Sequence, residues 1–287
     1  LFVSVSHCLK ANILNWIMEI NPDIDIYVND NRIFKQLTYG NDNTKNNIIK
    51  LLKYLFDYHE KKDHLEEHNN IYNDVIKHFM HDECATTILD WIYSNYSKYI
   101  DLSYDDDYMF IRAFETYNID VMSWLLDKKP DINIMYDIED VYDHLCNIEL
   151  IKWYIERYPQ FDLSYNNDKI FRENYSDITT LKWLLDIKPD IDISADNEYT
   201  FRMACCNDTT EVVKWLLEIK PDIDISADND YAFRTAACND CTEIAKWLLE
   251  IKPDIDISAD NEYAFRMSCY NDYIDVAKWL LEIKPDI

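Results

Sequence analysis

Residues 216–247 read LLEIKPDIDISADNDYAFRTAACNDCTEIAKW, and this stretch decides the fold because it recurs along the chain. The 32 residues before it, 184–215, match it at 24 of 32 positions, and residues 248–279 repeat the pattern again. A sequence period of about 20–50 residues is typical of proteins that stack one small structural unit many times. The end of the chain is therefore predicted to be an array of near-identical units.

Two rare residue types extend this period towards the start of the chain. All eight tryptophans fall in one column, and each of the seven prolines lies six residues after a tryptophan. The tryptophans are Trp16, Trp91, Trp124, Trp153, Trp183, Trp215, Trp247 and Trp279, and the prolines are Pro22, Pro130, Pro159, Pro189, Pro221, Pro253 and Pro285. Tyr54 fills the one gap in the tryptophan column. Core residues of an ordinary domain would not be spaced in this way, so the period covers the whole chain.

The chain is predicted to be a single continuous repeat array over residues 1–287. Within it, 1–34 hold a partial first unit and the start of the second, 35–90 irregular units with insertions, 91–180 divergent units, and 181–287 near-identical units. Phe2 lies 14 residues before Trp16, as Phe201 does before Trp215. We therefore expect the array to be truncated at both ends, inside a unit.

Each unit is predicted to contain two helices joined by a tight turn. Val212, Trp215, Leu216 and Ile219 have the spacing of one face of a helix, and the proline after them should end that helix near Lys220. The helix of the next unit should bury Phe233, Ala236 and Ala237, with Asn239-Asp240 as the turn. Between units, Asp222-Ile223-Asp224-Ile225 alternates in the manner of an extended finger.

Acidic residues are expected to begin these helices. Asp208 precedes Glu211 by three residues, Asp240 precedes Glu243 likewise, and this spacing is that of a capping box. Asp228 is expected to cap the following first helix.

The unit resembles the ankyrin repeat, a family whose unit of about 33 residues has two antiparallel helices and a hairpin finger. The segment 211–217 is similar to the family's second helix, 221–224 to its exit, and 231–237 to the slot of its Thr-Pro-Leu-His signature. Glycines of the family are replaced here by Lys, Asn and Asp, so the finger is expected to be a tighter or irregular loop instead of a regular hairpin. Such glycine-poor, tryptophan-containing units resemble those of giant DNA viruses of the mimivirus type. The implied fold is an all-α, ankyrin-type solenoid of helix-turn-helix-finger units with a period of about 32.

The resemblance implies a non-enzymatic scaffold for protein–protein interaction, which binds its partner through finger tips and the inner face of the first helices. By that analogy the partner-binding candidates are the tips and three positions of the first helices. These are Asp196, Asn197, Glu198, Met203, Asp228, Asn229, Asp230, Thr235, Asp260, Asn261, Glu262 and Met267. Because the tips are acidic, a partner with a basic surface is expected.

Composition excludes several functions. The net charge is −27, which argues against nucleic acid and anionic membranes as partners, since both are polyanions. The single glycine excludes Gly-rich phosphate loops, and no apolar stretch is long enough to span a membrane. Reduced cysteines favour a cytoplasmic setting. The chain has one C-x₂-C pair, Cys238 and Cys241, and no second pair to complete a structural zinc site, so neither zinc nor another cofactor is expected.

Two further patterns have a chemical interpretation. The string from His64 to His68, HLEEH, matches an inverted zinc-peptidase motif, but its polar surroundings and missing third ligand favour a chance match. In each of the later units an arginine follows the phenylalanine of the first helix, as Arg202 follows Phe201. These arginines are expected to pair with finger carboxylates such as Asp196 and Asp228. Cysteines and tryptophans of the repeat columns are expected to be core residues.

Alternative functions remain open at this stage. The array could be an adaptor arm of a longer protein that recruits host machinery such as a ubiquitin ligase. A zinc peptidase at the HLEEH string and a near-redundant repeat copy without a dedicated target are the remaining alternatives.

Overall fold

The helices of the repeat lie where the sequence period places them. The computed structural model describes residues 85–132, 138–145 and 147–287, together with positions 49, 50, 52, 53, 56, 57, 73 and 76. The chain divides into two compact segments, Leu1–Tyr136 and Asp137–Ile287, each of which contains several repeat units. A single continuous array over residues 1–287 stays a prediction.

In the described part of the first compact segment, helix α1 is Ala85–Tyr96, α2 is Tyr104–Glu115 and α3 is Ile119–Lys128. A short 3₁₀ helix, Ser97–Tyr99, follows α1. Helix α3 packs against α2 and α1.

In the second compact segment, the first and second helices of successive repeat units alternate along the chain. They are α4 (Ile138–His144), α5 (Ile148–Arg157), α6 (Tyr165–Glu173), α7 (Ile178–Ile187), α8 (Ala195–Cys206), α9 (Thr210–Ile219), α10 (Ala227–Cys238), α11 (Thr242–Ile251), α12 (Ala259–Tyr270) and α13 (Ile274–Ile283). The first helices α4, α6, α8, α10 and α12 pack against one another in that order, and α8, α10 and α12 each pack on their own second helix. For the described residues of Asp137–Ile287, the predicted fold class, an all-α solenoid of ankyrin type, is thus confirmed.

The predicted helix ends and core are confirmed. Helix α9 ends at Ile219, with Lys220 as its C-cap residue before the proline. Phe233, Ala236 and Ala237 are completely buried in α10. Between the helix pairs, the described residues form turns and no strand, so the finger is a tight loop in place of a hairpin.

The predicted helix caps are wrong by one position. Asp208 and Asp240 have φ of 57° and 65° and lie in the turn, and the residue that precedes each second helix is the next one along, six before the tryptophan. In α7 that residue is Asp177, whose side chain accepts a hydrogen bond from the Thr179 backbone N–H at 2.9 Å. In α9, α11 and α13 it is Thr209, Cys241 and Tyr273, and none of the three provides a side-chain cap.

The tryptophan column is only partly core. Trp124 and Trp153 are buried, whereas the other described members are half-buried. Aliphatic residues next to them, such as Leu216 and Leu248, are fully buried and fill the interior. No helix in the described part of the chain is both long and apolar enough to cross a membrane.

Candidate protein-binding surface

The finger tips form a left-handed turn that the sequence did not predict. Three consecutive residues at each tip have φ between 50° and 60°, although none is a glycine. The turns are Asn166–Asp168, Asp196–Glu198, Asp228–Asp230 and Asp260–Glu262. This conformation costs a non-glycine residue about 1–2 kcal/mol, and Asn and Asp tolerate it better than other residues. Asp228 therefore lies inside a turn and does not cap α10, which corrects that prediction.

An arginine fork holds each left-handed turn. Arg202 donates from Nε to the Asn197 carbonyl at 2.8 Å and from Nη2 to the Asp196 carbonyl at 3.1 Å. Its Nη1 reaches the next unit, where it bonds Asp228 Oδ2 at 2.9 Å. Arg172 and Arg234 repeat all three bonds. The predicted pairing of the arginine column with finger carboxylates is confirmed for these three arginines, and it links neighbouring units. The fourth member, Arg266, bonds only carbonyls of its own turn.

Tyrosine rings lie on both sides of these arginines. The guanidinium of Arg202 is 5.9 Å from the ring centre of Tyr199 and 4.9 Å from that of Tyr231. Arg234 lies in the same way between Tyr231 and Tyr263. Burial, with a smaller contribution from the nearby Glu173 carboxylate, raises the pKa of Tyr199 to about 12. We call this alternating series of arginines and tyrosines the Arg–Tyr ladder.

In three of the four turns the third residue, Asp168, Glu198 or Asp230, is buried and accepts a hydrogen bond from the next unit. Glu198 accepts from Ser194 Oγ at 2.7 Å and from the Asp224 backbone N–H at 3.3 Å. Asp230 accepts from Ser226 Oγ and from the Asp256 backbone N–H at 3.2 Å. Thr235, in α10, is also buried and bonds the carbonyl of its own helix.

These positions divide the predicted contact residues into two groups. The exposed group is Asp196, Asn197, Asp228, Asn229, Asp260 and Asn261, and the half-buried residues Met203, Glu262 and Met267 lie beside it. Glu198, Asp230 and Thr235 belong to the interior and are withdrawn from the contact surface, because a buried side chain has no area to offer a partner. Sequence patterns alone did not separate exposed from buried acids.

The charge of the tips is lower than the sequence suggests. Asp196, Asp228 and Asp260 each pair with an arginine of the preceding unit, at 2.9–3.0 Å. At the start of the fingers, Lys220 pairs with Asp222 at 3.1 Å, and its equivalents do the same. Much of the tip charge is therefore compensated within the protein.

The cysteine and metal predictions have separate outcomes. Cys205, Cys238 and Cys241 are buried free thiols, whereas Cys206 is half-buried and Cys269 is exposed. Burial raises the pKa of Cys205 far above its usual range. The described residues contain no group of three or more side chains suited to a metal ion. His64 and His68 lie outside the described residues.

Comparison with known families agrees with this geometry. Residues 171–261 and 202–287 match the family model for ankyrin repeats in three copies. This stretch therefore carries ankyrin repeats, a class of module that binds proteins, and it contains the ladder and three of the four described turns. Neither the curated proteins nor the solved structures give a match.

The sequence contained a signal for the left-handed turns that was not used. Each near-identical unit has Asp-Asn followed by Glu or Asp at the tip, and the first two are the residues most tolerant of positive φ. The Arg five residues after the Asn recurs with them.

Proposed function

We propose that the protein is a non-enzymatic scaffold that binds another protein through its finger tips and the exposed part of its first helices. The contact residues would be Asp196, Asn197, Asp228, Asn229, Asp260 and Asn261, with Met203, Glu262 and Met267 at the border. Ankyrin repeats in residues 171–287 support the general function of protein binding.

The single observation that carries this proposal is the repetition of one held geometry. The tips present the same exposed pair of side chains in three successive units, and the φ values of equivalent residues differ by only a few degrees. Each tip is fixed by an arginine, so little conformational entropy would be lost on binding.

A basic partner surface is the finer part of this proposal. The carboxylates of the tips are half exposed, with 49–56% of the side-chain area accessible, and one of their two oxygens stays available beyond the arginine bond. Binding should weaken between low and moderate ionic strength if these oxygens contact cations of the partner.

The test uses a substitution that removes side chains and leaves the backbone unstrained. Asn197→Gly, Asn229→Gly and Asn261→Gly together remove the three tip amides, and glycine adopts the positive φ of these positions readily. The matched control is Asn207→Gly, which replaces an exposed asparagine at the opposite end of the first helix, where the side chain bonds only the Met203 carbonyl of its own helix.

The measurement is recovery of a crosslinked partner from the cells that express the protein. The proposal expects the triple variant to lose that partner and Asn207→Gly to retain it. Equal recovery with both proteins would contradict a role for the tips.

Several finer assignments belong to the same proposal. An adaptor arm that recruits a ubiquitin ligase, a cytoplasmic site of action and an origin in a giant DNA virus rest on sequence resemblance and composition. A longer reading frame with a recruitment motif would support the adaptor. A longer frame without such a motif would exclude the adaptor and leave the binding proposal intact.

A further inference from the structure

The second helices carry an exposed apolar row that the proposed tip contacts do not use. Eight large hydrophobic residues are exposed in the described part of the chain, and four of them occupy one position of the repeat. They are Ile187, Ile219, Ile251 and Ile283, which are 44%, 41%, 42% and 41% exposed. We call these four residues the isoleucine row. Each lies at the last position of its helix, α7, α9, α11 or α13.

The row is not part of the packing between units. Residues that face the next unit change their exposure along the array: Arg234 is 8% exposed, whereas its equivalent Arg266 in α12 is exposed. The isoleucines differ by only three percentage points over four units. Stacking therefore leaves the row uncovered in all four of these units, as expected of surface residues and not of core residues.

Half-buried aromatic surface extends the row along each helix. Trp247 lies one helical turn before Ile251 on the same face of α11. It also lines a groove between α9 and α11, together with Ile244, Lys214 and Glu250. Lys214 Nζ is 5.8 Å from the Trp247 ring centre, and the same contact recurs in neighbouring units. The face thus offers an apolar row with a groove beside it.

The charge next to the row is negative and uncompensated. An acidic residue precedes each isoleucine: Asp186, Glu218, Glu250 and Glu282, all exposed. Within the residues that the structure describes, none of the four has an ion pair. The lysine that follows each isoleucine in α7, α9 and α11 is already paired with a finger aspartate, at 3.1–3.3 Å.

We propose that the isoleucine row is a second docking surface, and that its occupant is a basic amphipathic helix of another protein. Apolar side chains would contact the isoleucines, and Lys or Arg beside them would meet Asp186, Glu218, Glu250 and Glu282. Packed neighbouring helices lie about 8–10 Å apart, which an α-helix covers in about 5–7 residues, or up to about two turns. A helix laid across α7, α9, α11 and α13 therefore matches the row when its apolar residues recur about every two turns.

The test uses a probe of defined chemistry. The probe is a synthetic 21-residue helical peptide with leucine in a heptad pattern on one face and lysine elsewhere. A second peptide of the same composition and scrambled order controls for charge attraction alone. Affinities for the full chain are measured by fluorescence anisotropy at moderate salt.

The variants separate the row from the rest of the surface. Ile219→Ser with Ile251→Ser removes two row members, and Glu218→Lys with Glu250→Lys reverses the charge beside them. The matched control is Ile274→Ser, which replaces an isoleucine that is 55% exposed outside the row. Circular dichroism checks that each variant keeps its helix content.

The proposal expects the heptad peptide to bind, and each double variant to weaken binding about tenfold or more, as loss of central contacts does. Ile274→Ser and the triple Asn→Gly tip variant should leave this affinity unchanged, so the row and the tips are tested separately. Equal binding of the scrambled peptide, or row variants within twofold of the parent, would overturn the proposal. So would a dimer in sedimentation analysis that Ile219→Ser with Ile251→Ser dissociates, because a second copy would then occupy the row.

Discussion

Removal of Arg202, in α8, should destabilise the array far more than removal of the equivalent Arg266 in α12. Arg202 is 8% exposed and makes three hydrogen bonds, two to carbonyls of its own turn and one to Asp228 of the next unit. Arg266 makes only the two bonds within its own turn and is exposed. The pair Arg202→Ala and Arg266→Ala therefore isolates the contribution of the inter-unit bond and of burial.

The magnitude follows from the individual contacts. Each carbonyl bond contributes about 1 kcal/mol. The ion pair contributes about 1 kcal/mol as well, because Asp228 is half exposed and water screens it. Packing of the guanidinium between Tyr199 and Tyr231 adds about 1 kcal/mol. Arg202→Ala should thus lower the free energy of unfolding by about 3–4 kcal/mol. Arg266→Ala should lower it by about 1–2 kcal/mol, because this arginine makes only two carbonyl bonds and water competes for them at an exposed site.

The assay is urea unfolding followed by circular dichroism, with the loss of helix in each variant compared at matched protein concentration. A repeat array unfolds unit by unit once neighbours are uncoupled, so Arg202→Ala should also broaden the transition or split it. Equal destabilisation by the two substitutions, or a loss below about 1 kcal/mol for Arg202→Ala, would refute the coupling role of the ladder.

Four further outcomes follow from other parts of the structure. Asn197 has φ of 59°, so Asn197→Ala should be about 1 kcal/mol less stable than Asn197→Gly in urea unfolding; equal values would contradict the left-handed turn. Tyr273 precedes α13 without a side-chain cap, so Tyr273→Asp should stabilise by about 1 kcal/mol, and a thermal scan that shows no gain would count against this. Burial, followed by the Asp208 carboxylate, raises the pKa of Cys241 from 9.0 to about 11. The stability that the buried neutral thiol contributes is therefore present below pH 9 and lost between pH 9 and 11. Urea midpoints over that range should fall less in Cys241→Ala, and identical curves would exclude the effect. Elemental analysis should find no stoichiometric zinc in the purified protein, whereas one zinc per chain would revive the HLEEH string at 64–68.

The helix pairs could be predicted from the sequence because local features determine them. The apolar period of α9 and the proline after Lys220 act within one unit, and both predictions are confirmed. The caps could not be placed as well, since Asp208 and its neighbour Thr209 are both residues that precede helices. Only the positive φ of Asp208 assigns it to the turn.

The division of the tip residues could not be predicted, because it depends on the next unit. Glu198 and Asp196 are both acidic and lie two residues apart, yet one is 7% exposed and the other is exposed. Glu198 is buried where it accepts the Asp224 N–H of the following unit. A contact between units is not visible in the pattern of a single unit.

The central proposal is that a partner protein binds the finger tips. Crosslinking mass spectrometry of the tagged protein, purified from the cells that express it, tests this most directly when carboxylates are joined to partner lysines. The proposal predicts one abundant partner, crosslinked at Asp196, Asp228 and Asp260 and absent when Asn197, Asn229 and Asn261 are glycine. No partner above background, or crosslinks spread evenly over the surface, would contradict a dedicated binding scaffold and favour a redundant repeat copy.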